Sequence, residues 1–209
     1  MPVTVCWALK GGSGTTLIAA ALALSIRTDS LLVDLDGELP MVIGVPEPVG
    51  QGIADWLSSD APGSALAHLA VDIDRTTRLI PRGTAAPNAD NQRWHDLVGW
   101  LANQRSVIVD AGTGTPPTAL VGDDVRSLLV TRNCYLALRR AALAGCRPDG
   151  VVLVNEPGRA LGKRAVEHSV GAPVIASVNI DPAVSRSVDA GLLLSRLPRA
   201  LARDLRGAA

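Results

Sequence analysis

The sequence predicts an α/β fold: one doubly wound, mostly parallel sheet with helices on both faces. Short runs rich in Val, Ile and Leu alternate with longer helix-like segments along the chain, which is typical of repeated strand-helix units. A glycine-rich loop joins the first strand to the first helix, and aspartates follow two later strands. With 209 residues, 47% of them hydrophobic, the chain fits a single domain spanning 1–209.

The individual elements follow from these runs in chain order. Strands are predicted at 3–9, 31–35, 78–81, 107–109, 127–131, 150–154 and 173–178. Helices are predicted at 15–27, 53–58, 64–70, 92–103, 135–144, 159–170 and 182–190. Residues 81–90 form the one long polar loop. Because strands and helices alternate, ligands are expected at the carboxyl ends of the strands.

Composition narrows the classes of function. Twenty basic residues balance twenty acidic ones, so no overall field attracts nucleic acid or an anionic membrane. Cys6, Cys134 and Cys146 lack the number and spacing of a disulfide framework or zinc site. The N-terminus lacks signal-peptide features, and the most apolar run, 17–26, is too short to span a bilayer. We therefore expect a cytoplasmic protein.

The glycine-rich loop carries the first chemical signal. It leads directly into a helix that begins near Thr15, and it consists of Lys10, Gly11, Gly12, Ser13 and Gly14. Glycines permit positive φ, and successive N–H groups at a helix N-terminus attract an anion, so phosphate is the expected ligand. In the pattern GxxxxGK[ST], Thr16 retains the magnesium-binding hydroxyl, whereas Thr15 occupies the lysine position without its charge. The structural alternative is a simple strand-to-helix turn.

A second functional interpretation of this loop is the dinucleotide fingerprint GxGxxG. Gly12 and Gly14 would be its first two glycines, and Asp34 would follow the second strand. Leu17 stands where the third glycine belongs, so a nicotinamide-dependent oxidoreductase is the weaker hypothesis.

Acidic residues follow two of the predicted strands. Asp34 and Asp36 end the second strand, where one carboxylate could hold Mg²⁺ and the other could orient an attacking water. Asp110 ends the buried strand 107–109 and is followed by a glycine-containing segment, as in a Walker B motif. Acids in solvated turns are the alternative for the first pair. Together with the loop, these acids favour a magnesium-nucleotide site.

The whole set of motifs resembles the ParA/MinD family of deviant Walker ATPases, whose loop reads KGGxGKTT. The resemblance covers nearly the whole chain and implies a P-loop fold that binds ATP and Mg²⁺ and forms a homodimer. It makes Lys10 the signature lysine, Thr16, Asp34 and Asp110 the metal-binding residues, and Asp36 the acid tied to hydrolysis. Asn155 matches a position that often holds adenine, although an asparagine that caps a loop explains it equally well.

Thr15 is the departure from the family. The missing lysine should weaken nucleotide binding, slow hydrolysis, or both, so whether the protein is an active ATPase stays open. Altered loops resemble the TadZ/CpaE branch, which implies pilus-assembly or cell-division machinery as a partner and a location at the cell pole or inner membrane. A scaffold that keeps the fold without nucleotide is the alternative from another class of function.

The C-terminal segment 192–206 is basic and amphipathic. Leucines and arginines alternate along it: Leu194, Leu197, Leu201 and Leu205, with Arg196, Arg199, Arg203 and Arg206. It resembles a membrane-targeting helix that would give peripheral membrane contact, but without an aromatic anchor we favour a helix packed on the sheet. A smaller cluster of Arg139, Arg140 and Arg147 is explained by solvated helix charges, so DNA binding is not expected.

Overall fold

The computed structural model describes residues 3–26, 28–86, 89–145 and 147–208, and its strands form one eight-stranded sheet. The strands are β1 (Val3–Ala8), β2 (Ser30–Asp34), β3 (Val71–Asp72), β4 (Thr77–Ile80), β5 (Val107–Thr113), β6 (Arg126–Arg132), β7 (Gly150–Asn155) and β8 (Val174–Asn179). Their spatial order is β3-β4-β2-β5-β1-β6-β7-β8. Every pairing is parallel except that of β3 with β4.

Helices cover both faces of this sheet. They are α1 (Thr15–Ser25), α2 (Leu39–Ile43), α3 (Ile53–Leu57), α4 (Asn91–Leu101), α5 (Tyr135–Leu143), α6 (Lys163–Val170), α7 (Pro182–Asp189) and α8 (Arg199–Asp204). Short 3₁₀ turns lie at Gly63–His68 and Thr118–Val121. Within the described part of the chain, no helix is long and apolar enough to cross a membrane.

Two apolar clusters, one on each face of the sheet, form the core. Side chains alternate across β1, so that Val5 and Trp7 join one cluster while Cys6 joins the other. Helices α3, α4, α5 and α6 cover the first cluster, and α1, α2, α7 and α8 cover the second. The α/β, mostly parallel fold expected from the sequence is therefore confirmed.

The predicted elements are present with shifted ends and two omissions. The strand predicted at 107–109 continues to Thr113 as β5, and the segment 64–70 is a 3₁₀ turn. The helix predicted over 159–170 begins only at Lys163, because its N-cap, Gly162, has extended backbone (φ −92°, ψ −178°). The short elements β3 and α2 were not predicted. Four residues used in the sequence predictions lie outside the described residues. They are Arg27 in a predicted helix, Pro87 and Asn88 in the predicted polar loop, and Cys146.

The C-terminal segment packs on the sheet, as the sequence favoured. Its helix, α8, is shorter than the predicted 192–206 because Pro198 is the N-cap and the preceding residues form turns. Leu201 and Leu205 are buried in the same cluster as α1. Arg126 Nη1 donates to the carbonyl of Ala208 at 2.8 Å, which ties the end of this segment to β6.

Candidate functional site

The glycine-rich loop lies at the carboxyl end of β1, in the middle of the sheet. Gly12 (φ 73°) and Gly14 (φ 89°) adopt left-handed backbone, and Gly14 is the N-cap of α1. A Cβ atom built on Gly11, Gly12 or Gly14 meets no atom within 4 Å, so the space over the loop is open. Ser13 Oγ donates to the carbonyl of Lys10 at 2.7 Å, a hydrogen bond that stabilises the loop conformation. This arrangement of open loop and helix N-terminus suits a phosphate group.

The loop retains hydroxyl groups but lacks the usual cation. Thr15 and Thr16 are the first two residues of α1, and both are largely buried. The half-buried Lys10 lies at the start of the loop, where its Nζ donates weakly to the carbonyl of Gly11 at 3.4 Å. Arg140, on α5, donates from Nη1 to the carbonyl of Leu9 at 3.0 Å. The positive charges near the loop, those of Lys10 and Arg140, therefore lie at its start, and the side chain at position 15 carries none.

Asp110 is one of two fully buried acids at this edge, with Asp34. Its side chain is fully buried in β5; Oδ1 accepts the Gly112 N–H at 3.1 Å, while Oδ2 has no hydrogen-bond partner among the described residues. Burial raises its pKa to about 7, and the charges of Asp34 and Asp36 add to that shift. The Thr16 hydroxyl is near enough to oppose the shift, although it makes no well-aligned hydrogen bond to Oδ2. An orphaned carboxylate oxygen in the interior is costly without a ligand.

Asp34 lies directly opposite Asp110 in the β2–β5 register, but both of its carboxylate oxygens accept backbone hydrogen bonds. Its Oδ1 accepts the backbone N–H groups of Asp36 (3.1 Å) and Gly37 (2.6 Å), and its Oδ2 accepts that of Leu39 (3.1 Å). Burial raises its pKa to about 6, partly opposed by these three hydrogen bonds. Asp34 therefore fixes the loop that leaves β2 and the first turn of α2.

Asp36 is the exposed acid of the group. Its carboxylate lies against Gly112, so closely that a Cβ on that glycine would overlap Asp36 Oδ1. Gly112 also has positive φ (63°), so both backbone conformation and space require glycine there. The structure thus brings Asp36 beside the segment that follows Asp110, facing solvent at the loop edge.

Asn155 belongs to a row of three amides, of which only Asn155 was predicted to be part of the site. Asn133 Nδ2 donates to Asn155 Oδ1 at 3.0 Å, and Asn155 Nδ2 donates to Asn179 Oδ1 at 2.9 Å. The buried Asn133 also accepts the Glu156 N–H at 2.8 Å. The sequence does place one asparagine at or directly after the end of each of three neighbouring strands, and this pattern could have predicted the row. The row lies on the same carboxyl edge as the loop, on the β6–β8 side.

These donors match the chemistry of a magnesium-nucleotide complex. Mg²⁺ in such sites is held by one or two carboxylate or hydroxyl oxygens together with phosphate oxygens and water. The unpartnered Oδ2 of Asp110 and the neighbouring Thr16 hydroxyl supply two such oxygens, next to the open phosphate loop. Asp34 fits a positioning role better than direct ligation, because both of its oxygens accept backbone hydrogen bonds.

Comparison with known proteins identifies the fold through structure. No protein-family model and no curated protein matches the sequence. A ParA family ATPase from Chlorobium tepidum TLS superposes with a TM-score of 0.76 at 22% identity, over 98% of this chain and 95% of that chain. MinD complexed with Mg-ADP from Pyrococcus horikoshii OT3 gives 0.74 at 19% identity, over 98% and 93%. A chain of the MinC:MinD cell division complex of Aquifex aeolicus gives 0.73 at 19%, over 100% and 97%.

This chain has a ParA/MinD-like fold.

The ParA/MinD-like fold confirms the architecture implied by the loop and strand-end acids. Sequence identities of this size establish the fold alone, so the site assignments depend on the geometry of this chain. The roles of the site residues and the placement in the TadZ/CpaE branch stay predictions. The dinucleotide alternative is weakened, since Asp34 is fully buried and three of its acceptor positions already take backbone N–H groups, which makes it a poor partner for a ribose hydroxyl.

Proposed function

We propose that this ParA/MinD-like protein is an ATP-binding switch that uses Mg²⁺, dimerises on the nucleotide and positions a larger assembly in the cell. One observation carries the proposal: the open glycine loop, the Thr16 hydroxyl and the unpartnered Oδ2 of buried Asp110 meet at one edge of the sheet. The Mg-ADP bound by the structurally similar MinD of Pyrococcus horikoshii adds support for this ligand class.

Each residue at the edge has a distinct task in this proposal. The backbone N–H groups of Gly11 to Thr16 bind phosphate, and Thr16 and Asp110 hold Mg²⁺, which offsets phosphate charge when bound. Asp34 holds the loop that carries Asp36, and the exposed Asp36 orients the attacking water. Asn155, supported by its neighbours in the amide row, holds the base.

Hydrolysis is proposed to be slow or absent. Phosphoryl transfer depends on cations that stabilise the charge developing on the transferred group. Thr15 supplies no such charge, and Lys10 lies at the loop start, half-buried and weakly bonded to Gly11. We propose that Lys10 acts instead toward the phosphates of a bound nucleotide, in its own subunit or across a homodimer.

The assembly that this switch positions is proposed to be pilus-assembly or cell-division machinery, with the protein in the cytoplasm and recruited to the cell pole or inner membrane. The MinC:MinD complex of Aquifex aeolicus gives a precedent for a partner on this fold. Peripheral membrane contact through the C-terminal helix would require α8 to leave the sheet, because Leu201 and Leu205 are buried there.

Isothermal titration of ATP with Mg²⁺ into wild type, Thr16→Ala and Thr118→Ala tests the proposal. Thr118 is an exposed threonine on a 3₁₀ turn of the opposite face and serves as the matched control. Loss of one magnesium ligand should weaken binding by about tenfold or more, whereas the control should bind like wild type. No heat at millimolar nucleotide would favour the nucleotide-independent scaffold, whose oligomeric state should not change with ATP or with Lys10→Ala. Binding by Thr16→Ala as tight as that of wild type would refute Thr16 as a magnesium ligand.

A further inference from the structure

Two adjoining grooves flank the C-terminal segment of the chain. One, of about 780 Å³, lies between α7 and the segment that precedes α8; the other, of about 510 Å³, lies between the end of α1 and α8. Leu197 and Arg199 line both grooves, so the two form one continuous surface feature. We refer to it as the C-terminal groove.

The rim of the C-terminal groove is strongly cationic. Five exposed arginines line it: Arg186, Arg196, Arg199, Arg203 and Arg206. Of these five arginines, only Arg203 forms an ion pair with a described residue, the neighbouring Asp204, at 3.0 Å. Asp181 is the one acid among the described residues that line the groove, and it caps α7 by accepting the Ala183 N–H at 2.7 Å. This surface is therefore positively charged in a chain whose net charge is zero.

The floor of the C-terminal groove is apolar. Leu192, Leu197 and Pro198 line the larger part, and Leu24 and Leu205 the smaller. Leu192 stays 46% exposed, which makes it one of the large hydrophobic side chains that the described structure leaves open to solvent. An apolar floor bordered by cations is complementary to a ligand that has one apolar face and one acidic face.

We propose that the C-terminal groove binds an acidic amphipathic peptide segment of a partner protein. A groove presents concave apolar surface that a flat bilayer cannot fill, and the leucines that would enter a membrane from α8 are buried against the sheet. Nucleic acid would match the arginines but would leave the leucine floor without an apolar partner. A peptide helix with leucines on one face and glutamates beside them satisfies both parts of the surface.

The test uses a fluorescein-labelled synthetic peptide of about 18 residues, or five helical turns, with Leu repeated at i, i+3, i+4 and i+7, Glu at the positions that flank this face and Ala elsewhere. A peptide of the same composition, scrambled to remove the apolar face, is the ligand control. Fluorescence anisotropy with the full chain measures both. We expect saturable binding of the amphipathic peptide, weakened by salt, and at least about tenfold weaker binding of the scrambled one.

Two sets of protein variants locate the binding. The double variant Arg196→Glu/Arg199→Glu should weaken peptide binding by at least about tenfold, whereas Arg139→Glu/Arg164→Glu, the same charge change on α5 and α6 across the sheet, should not. Leu192→Ala should also weaken binding, which a purely electrostatic surface would not show. The altered side chains at 196, 199, 139 and 164 are exposed, and thermal unfolding checks that the fold persists.

Other occupants are separate outcomes of the same experiment. Absence of peptide binding, or binding that Arg196→Glu/Arg199→Glu leaves unchanged, overturns the proposal. Three results, each obtained without peptide binding and each abolished by these substitutions, would overturn the proposal in favour of another ligand. Co-sedimentation with phosphatidylglycerol vesicles would indicate a membrane, and retention on duplex DNA would indicate a nucleic acid. A concentration-dependent dimer would indicate a second copy of the chain. Because none of these readouts needs nucleotide, failure here is distinguishable from failure of the proposed switch.

Discussion

Restoring the missing loop lysine with Thr15→Lys is the sharpest perturbation of the proposed switch. Thr15 is the first residue of α1 and follows the left-handed Gly14, so a longer side chain at this position begins at the phosphate loop. Thr15 itself is only 7% exposed, but a Cβ on the neighbouring Gly11, Gly12 or Gly14 would meet no atom within 4 Å, so the loop that the lysine would extend over is open. The substitution therefore adds a cation where the structure has none.

The expected gain is that of one charge-assisted hydrogen bond to phosphate. Such a bond contributes about 1.5–3 kcal/mol, which corresponds to about a 10- to 150-fold lower Kd for ATP with Mg²⁺. Any increase in hydrolysis would come in addition, because the same cation stabilises the charge of the transition state. The lower end applies if Lys10 already contacts the phosphates.

Isothermal titration with ATP and a coupled assay of phosphate release measure the two effects. Thr15→Met is the matched control, since methionine has similar length and no charge. We expect tighter binding for Thr15→Lys than for Thr15→Met, and faster turnover only for the lysine variant. Equal affinities in the two variants would refute the assignment of position 15 to the phosphate site, whatever the fold of the loop.

Three further predictions concern the stability of the fold. Gly44→Ala should destabilise the protein more than Gly50→Ala in urea unfolding, by about 1–3 kcal/mol: both glycines have positive φ, but only a Cβ at 44 overlaps the backbone of Gly191. Hydrogen bonds to Asp55, the largest from the Gly52 N–H, lower the pKa of its carboxyl group. The free energy of unfolding of the wild type should therefore fall as the pH drops below about 4, where this carboxylate becomes protonated. Asp55→Asn should be less stable than wild type at pH 7, and its free energy of unfolding should change less between pH 7 and low pH. Asn133→Ala should cost about 1–3 kcal/mol, measured the same way, because the buried Asn133 amide is lost and the half-buried Asn155 Oδ1 and Glu156 N–H are left without their partner.

The sheet could be predicted because its strands are apolar on both faces. Runs such as Val151 to Val154 are long enough to be recognised without knowledge of their neighbours. The strand β3 could not be, since Val71–Asp72 is two residues long with exposed side chains and exists only through pairing with β4. The start of α6 was predicted too early for a similar reason. The helical pattern extends to residues before Gly162, but the extended backbone of Gly162 makes the helix begin at Lys163.

The site could be predicted in its residue types but not in its division of labour. Asp34 and Asp110 both follow apolar strands, and from the sequence each is an equally good metal ligand. Their difference depends on the unpredicted α2, whose first residue, Leu39, donates its N–H to Asp34 and helps to occupy that carboxylate. Asp110 lacks such a neighbour, so its Oδ2 stays without a partner. Sequence identifies the acids, whereas local backbone geometry determines which of them is available.

The charge balance at the sheet edge has a further consequence for the ligand. Asp34, Asp36 and Asp110 lie together, and the first two help to raise the pKa of the third. Because the side chain at position 15 carries no positive charge, a bound Mg²⁺ would have to balance the negative charges of these acids and of the phosphates together. Removing Mg²⁺ with EDTA should therefore weaken ATP binding by a larger factor in wild type than in Thr15→Lys, when both are titrated at the same ionic strength. Equal loss in the two proteins would mean that the acids and position 15 do not share one phosphate site.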